Sequence, residues 1–157
     1  MNMKVYKEIP EDIRRQVYQI AADYARDMFT KNFPEDILAD MRLQWGAVLL
    51  DEDGRVASCI VFTGIDGSAH ISMMATRRDL AGIGYGKRLM EGFVEYVSSI
   101  GYSSIELYTF SPETNPKYIS TIGFYKNAGF TVVREYPDLW EPGTVTLKMR
   151  REWAAGK

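Results

Sequence analysis

The chain has 157 residues, of which 46% are hydrophobic, 25% charged and 13% aromatic, enough for one domain with a proper core. A balance of 19 basic against 21 acidic residues, net charge −2, argues against bulk binding to a nucleic-acid backbone. MNMKVYKEIPEDIRR lacks the apolar stretch of a signal peptide, and no segment approaches the roughly 20 apolar residues of a membrane span, so a soluble, cytoplasmic domain without a membrane partner is expected.

MKVYKEI (3–9) alternates and predicts a first strand. Pro10, Glu11 and Asp12 suit a first helical turn, and Ile13, Val17, Ile20, Tyr24 and Met28 then recur at helical spacing, predicting an amphipathic helix over 10–30. Pro34-Glu35-Asp36 opens a second, shorter helix carrying Ile37, Leu38 and Met41. WGAVLLD (45–51) and RVASCIVFTG (55–64) flank the turn signal DEDG and read as a β-hairpin. Cys59 lies inside that apolar run, so the single thiol is expected to be buried and structural. After the Ile65-Asp66-Gly67 turn, GSAHISMMAT (67–76) completes an antiparallel meander. It carries the single histidine, His70, which excludes a multi-histidine metal site, and no metal is expected.

Leu89, Phe93, Val97 and Ile100 form one stripe of a helix that Gly101 would cap. SSIELYTF (103–110) is a strand and SPETNP (111–116) a loop. Tyr118, Ile122 and Tyr125 share one face of a short helix ending at Gly129. FTVVREY (130–136) and TVTLKMR (144–150) are the closing strands, joined by PDLWEPG (137–143). The order β-α-α-β-β-β-α-β-α-β-β, with no repeat and no linker, indicates a single sandwich-like α/β domain.

The chemistry concentrates between the third meander strand and the helix that follows it. In Ala81-Gly82-Ile83-Gly84-Tyr85-Gly86, glycines at alternate positions let the backbone come close to a charged group and turn its amides inward. The helix start adds its positive end, and Arg77, Arg78, Lys87 and Arg88 add charge nearby. This reads as a pyrophosphate cradle, although a glycine-rich structural turn has the same spacing. A Rossmann fingerprint would need a parallel β-α-β unit, whereas three antiparallel strands precede this loop, and Glu106 falls mid-strand. A Walker loop is excluded because no G-K-[ST] is present. Coenzyme A is the better ligand.

ATRRDLAGIGYGKRLM (75–90) resembles the coenzyme A signature [Q/R]-x-x-G-x-[G/A] of the GNAT superfamily of N-acetyltransferases, with Gly84-Tyr85-Gly86 on G-x-G and Leu89 on the early helical leucine. GFYKNAGF (123–130) is similar to the family's F-Y-x-x-x-G-F ending through Tyr125, Gly129 and Phe130. The resemblance implies a GNAT-like α/β (α+β) fold over residues 1–157, a mixed and largely antiparallel central sheet flanked by helices. It also implies direct transfer of an acetyl group from acetyl-CoA to an amine, and it admits a homodimer. The family's Gln or Arg position falls on Ala81, leaving Arg77 or Arg78 to replace its contact.

On that resemblance, acetyl-CoA would lie against Met74, Ala75 and Thr76, with the amide of Met74 or Ala75 polarising its carbonyl, and against Ala81, Gly82, Ile83, Gly84, Tyr85, Gly86 and Lys87. Tyr125 occupies the general-acid position, and a packed aromatic is its plain alternative. His70 and Glu106 are candidates for the base that removes the amine proton, and a water chain could replace both. Asn115 would match a family asparagine if SPETNP is an insertion. The acceptor region draws on Tyr24, Asp27, Met28, Phe29, Glu35, Asp36, Trp45, Tyr108 and Phe110, a set suited to a cationic amine with an apolar body. PDLWEPG would be a lid or a plain loop, and its Trp140 could instead mark a dimer contact. Competing functions are a non-catalytic acyl-CoA binding or sensing module and, less favoured, a nucleotide- or dinucleotide-binding domain.

Overall fold

The structure is a computed structural model and describes residues 3–25, 28 and 32–153. The stripe of α1 (Glu11–Tyr24) buries Ile13, Val17, Ile20 and Ala21, and α2 (Phe33–Asp40) adds Ile37, with Met41 just past its end. Strands β1 (Met3–Tyr6), β2 (Trp45–Leu50) and β3 (Val56–Ile65) run antiparallel in sequence. Val48, Val56, Cys59 and Val61 join the helical stripes in one core, together with Met73 and Ala75 of β4 (Ser68–Thr76).

The turns explain why these strands reverse where they do. At the β2–β3 turn the Asp51 amide donates to the Arg55 carbonyl at 2.8 Å, while Asp51 Oδ1 accepts the amides of Asp53 and Arg55. At the β3–β4 turn Asp66 and Gly67 both have positive φ, 50° and 80°, a pairing that suits the twist of a two-residue hairpin.

The chain continues through α3 (Tyr85–Ser99), β5 (Ser104–Phe110), α4 (Ile119–Asn127), β6 (Thr131–Pro137) and β7 (Val145–Glu152). The seven strands form one sheet in the order β1-β2-β3-β4-β5-β7-β6. β5 with β7 and β6 with β7 are antiparallel, whereas Ser68–Ile71 of β4 run parallel to Ser104–Leu107 of β5. This mixed, largely antiparallel sheet flanked by helices is the fold that the sequence resemblance implies. The parallel pair corrects one expectation: β4, α3 and β5 do make a parallel β-α-β unit, so antiparallel surroundings do not separate this loop from a dinucleotide site.

The contacts gather into two compact units, one of Met1–Thr63 and Ser72–Glu95 and the other of Gly64–Ile71 and Tyr96–Lys157. In the first, Phe93 of α3 meets Phe62 edge-on, with ring centroids 4.7 Å apart, beside buried Leu89 and Met90. The second buries Ile105, Leu107, Leu147 and Met149 from its strands and Ile122, Tyr125 and Phe130 from α4 and its end.

Three boundaries differ from the periodic pattern. β1 stops at Tyr6 rather than residue 9, because Ile9 turns into the core ahead of Pro10. α1 stops at Tyr24 rather than residue 30; residues 26, 27, 29, 30 and 31 of the expected helix and its connection lie outside the described set. Ile100 is 44% exposed and not part of the buried stripe. The physical reason is the helix end. Gly101 has φ 102°, its amide bonds to Ser98, and the Tyr102 amide reaches back to Val97 at 3.0 Å, which turns the chain away just past Ile100.

A Cβ at Gly101 would meet nothing within 4 Å, so Gly101→Ala isolates the conformational cost of the left-handed residue. Urea unfolding should show a loss of about 1 kcal/mol. Gly64→Ala should cost more, because its Cβ would collide with the Tyr102 hydroxyl and lie 2.7 Å from Tyr102 Cζ.

Candidate functional site

The loop between β4 and α3 is built as a row of backbone donors. Ala81 is extended, at φ −67° and ψ 144°, while Gly82 and Gly84 have φ 79° and 103°, values open to glycine and strained for other residues. A Cβ at either glycine would meet nothing within 4 Å, so backbone conformation rather than packing selects glycine here, and the outer face of the loop is open. The first helical bond of α3 runs from the Arg88 amide to the Gly84 carbonyl at 3.0 Å. The amides of Tyr85, Gly86 and Lys87 therefore point out of the helix end.

Charge at this end runs opposite to that of α1 and α2. α1 opens with Glu11 and Asp12 and α2 with Glu35 and Asp36, whereas the first turn of α3 has no acid and carries Lys87 and Arg88. Cations beside the positive end of a helix destabilise it, unless an anion occupies that end.

Arg77 and Arg78 both have partners within the protein. Arg77 makes a two-bond fork with Asp79, Nε to Oδ1 at 2.7 Å and Nη2 to Oδ2 at 3.0 Å. Its Nη1 donates to Asp51 Oδ2 at 3.0 Å and to the Val56 carbonyl at 3.1 Å, and its amide donates to Ala57. Arg78 pairs with Asp23 at 3.0 Å and stacks 4.3 Å over the Tyr24 ring. Both arginines thus hold the base of the loop.

Tyr24, expected at the acceptor region, donates its hydroxyl to the Thr76 carbonyl at 2.6 Å. Ser58 Oγ lies 2.8 Å from Thr76 Oγ1 and 3.3 Å from the Ala75 carbonyl, so the end of β4 is anchored on both sides. Met74 is half-buried. Burial pushes the Cys59 thiol up to about 12, which keeps it an inert, protonated core group. A cavity of about 300 Å³ beside this corner is lined by Gln16, Gln19, Asp23, Arg55 and Arg77, and includes none of residues 81–87.

Of the other acceptor candidates in this unit, Trp45 pairs across the ladder with Phe62, while the loop starts beside Ala57. Five residue steps along β3 separate the two, about 17 Å of strand, so Trp45 is not brought to the loop. Glu35 and Asp36 are exposed in the first turn of α2, and Met28 is half-buried. Asp27 and Phe29 lie outside the described residues.

In the second unit, His70 faces Tyr108 with centroids 5.5 Å apart and is paired across the parallel ladder with Glu106. Burial holds His70 below the usual imidazole range, against the pull of Glu106 and with a push from Lys148. Burial alone would raise the Glu106 carboxyl, but Lys148 at 2.9 Å and Arg150 at 2.8 Å, with Ser68, bring it down to about 2. A carboxylate held this way is a poor proton acceptor, so the geometry argues against Glu106 as the base.

Tyr125 is buried against Phe130 and Phe124, and burial, with Tyr118 beside it, pushes its hydroxyl above the normal phenol range. Trp140 packs edge-on to Phe110 at 5.0 Å, and Phe110 meets Tyr118 at 5.2 Å. The Asn115 backbone bridges Ser111 and Tyr118. Among the described residues, no cluster of three His, Cys, Asp or Glu could hold a metal, and no helix is long and apolar enough to cross a membrane.

Comparison places this arrangement in a class. The model of the acetyltransferase (GNAT) family matches residues 14–130, and the chain belongs to that family. It shares its fold with an acetyltransferase assigned to the same family from Desulfovibrio desulfuricans, at 16% identity and TM-score 0.81 over 97% of this chain and 99% of the other. An aminoglycoside 6'-N-acetyltransferase complexed with coenzyme A aligns at 12% identity and TM-score 0.76 over 97% of each chain. The ribosomal-protein-S18-alanine N-acetyltransferase of Escherichia coli aligns at 13% identity and TM-score 0.72 over 99% of this chain and 97% of that one. No curated protein matches the chain by sequence.

Because the Glu106 carboxyl is depressed from 4.5 to about 2, its ion pairs stabilise the fold above the unfolded value and are lost as pH falls through the folded one. Glu106→Gln should be less stable than the parent in urea at neutral pH. The gap should narrow between pH 4.5 and about 2. A gap that stays constant over that window would remove the ion pairs as its cause.

Proposed function

We propose that residues 1–157 act as a single N-acetyltransferase domain that takes acetyl-CoA as co-substrate and an amine as acceptor. The observation that carries the reading is the start of α3, where two left-handed glycines, three outward amides and two first-turn cations converge without an acid. That end fits a pyrophosphate, whose charge offsets the repulsion between Lys87, Arg88 and the helix dipole. The loop departs from the family signature at Ala81, and its backbone amides supply the binding.

Bound there, acetyl-CoA supplies an activated acetyl group as a thioester. The chain's contribution is to hold and to move protons. Met74, Ala75 and Thr76 offer backbone for the pantetheine arm, and an amide of Met74 or Ala75 stabilises charge developing on the carbonyl oxygen. Tyr125 Oη, kept protonated by burial, is assigned to the leaving thiolate. His70, kept neutral by burial, takes the acceptor's proton in place of Glu106, and Tyr108 beside it offers an aromatic wall to the acceptor. Antibiotic, polyamine, amino-acid and protein amines all satisfy this chemistry.

A second reading, acyl-CoA binding without turnover, is favoured by the enclosure of Tyr125 between Phe124 and Phe130. A phenol that holds its proton above the ordinary range is a weak donor.

A calorimetric titration of the purified protein with acetyl-CoA, NADH and ATP separates these readings. Binding of acetyl-CoA alone is expected; its absence would sink the transferase and sensing readings together. In an amine screen Tyr125→Phe should lower kcat about 10²-fold, the scale of a lost general acid. Equal turnover by the variant would remove Tyr125 from the chemistry, and no turnover with any amine would favour the binding module.

A further inference from the structure

The end of α1 grips the base of the glycine loop through two consecutive residues. Tyr24 donates its hydroxyl to the Thr76 carbonyl at 2.6 Å, capping the last residue of β4. One position earlier, Asp23 Oδ2 accepts from Arg78 Nε at 3.0 Å, and the Asp23 carbonyl accepts from Arg78 Nη2 at 3.2 Å. The Arg78 guanidinium closes the arrangement by stacking 4.3 Å over the Tyr24 ring. Two residues of α1 therefore hold both sides of Arg77, itself fixed to Asp51 and Asp79. Downstream, the Leu80 and Ala81 amides close the 3₁₀ turn on the Arg77 and Arg78 carbonyls, at 2.9 and 3.2 Å. The left-handed pair Gly82 and Gly84 follows directly.

A hydrogen bond from a part-buried hydroxyl favours one orientation of the Thr76 peptide, and a stacked, forked guanidinium leaves few rotamers open. We propose that Tyr24, with Asp23, is a positioning residue that sets the backbone of the glycine loop in its binding conformation before any ligand arrives. Its role is to present the loop amides, not to touch the acceptor. This rests on the cofactor reading of the loop only for its consequence on affinity; the clamp itself is independent of that reading. Because the clamp sits where α1 ends, a ligand that shifts α1 would alter cofactor affinity through the same two residues.

The test is Tyr24→Phe, which keeps the ring under Arg78 and removes only the donor, with Tyr24→Leu to remove the stack as well. In the ligand-free protein, hydrogen exchange at Leu80 and Ala81 should speed up in Tyr24→Phe, and more in Tyr24→Leu, while the thermal midpoint of Tyr24→Phe stays near that of the parent. Acetyl-CoA should bind Tyr24→Phe about three- to tenfold more weakly, the range for one net hydrogen bond. KM for acetyl-CoA should rise with kcat and acceptor KM little changed. Unchanged exchange at Leu80 and Ala81 would overturn the clamp, as would faster exchange spread evenly along the chain with a lower thermal midpoint. Failure of the parent to bind acetyl-CoA would instead overturn the cofactor reading, and the exchange data would still decide the clamp.

Discussion

The Arg77 guanidinium fixes where the glycine loop begins. Its donors reach Asp79 inside the loop, Asp51 in the β2–β3 turn and the Val56 carbonyl at the start of β3. Asp51 serves two structures at once: Oδ1 closes its own turn and Oδ2 takes the arginine. The Arg55 amide is the largest influence lowering its carboxyl, partly offset by desolvation and supported by Arg77. The Asp79 side chain is 64% exposed, so its pair with Arg77 matters less as energy than as geometry. A planar fork bonded to two oxygens admits one orientation, which a lysine's single ammonium would not impose. The start of the 3₁₀ turn, and hence the aim of Gly82 and Gly84, depends on that constraint.

Much of the fold was legible because its ends are chemical. Asp51 and Gly54 mark the hairpin, and Gly101 and Gly129 mark two helix ends with the same pair of backward bonds, Tyr102 to Val97 and Phe130 to Tyr125. Elsewhere the pattern overran. Ile100 continues the spacing of Leu89, Phe93 and Val97, but periodicity reports a face and is silent on where the helix stops. The parallel ladder of β4 with β5 was not legible, because strand direction depends on where α3 carries the chain. That ladder weakens the first reason for setting aside a dinucleotide. The better reason is Glu106: its carboxylate, which would have to meet a ribose, is occupied by Lys148 and Arg150.

The candidate site divides in the same way. Glycines and a helix start are local, and the segment 81–87 stands out in the chain without reference to anything else. Charge partners are not local. Arg77 and Arg78 looked like extra cations for a ligand, and nothing in the sequence showed that Asp51, 26 residues earlier, and Asp23, 55 residues earlier, would claim them. Tyr24 was expected at the acceptor because the family resemblance draws that region on the first two helices; its hydroxyl meets a strand carbonyl 52 positions away. Glu106 was a candidate base as a titratable residue within a strand, and its partners Lys148 and Arg150 lie more than 40 residues on. Only the Arg77-x-Asp79 spacing offered a local hint that one of these groups was committed.

The placement of acids offers a way to weigh the loop that does not depend on resemblance. Of the four α-helices among the described residues, α1 and α2 open with acids and α3 and α4 do not, and α3 alone places cations in its first turn without an acid. If α3 served packing alone, a neutral first turn like that of α4, or an acidic one, would be cheaper than a cationic one. Instead it holds Lys87 and Arg88, and Arg88 stacks at 4.6 Å on Tyr85, which keeps its charge near the helix end. An arrangement that disfavours the isolated helix by a few tenths of a kcal/mol to about 1 per cation makes physical sense when a multiply charged anion completes it. On the proposed cofactor reading the same logic bears on Ala81: with outward amides and two cations at one point, the charge of a phosphate is met without a side chain there.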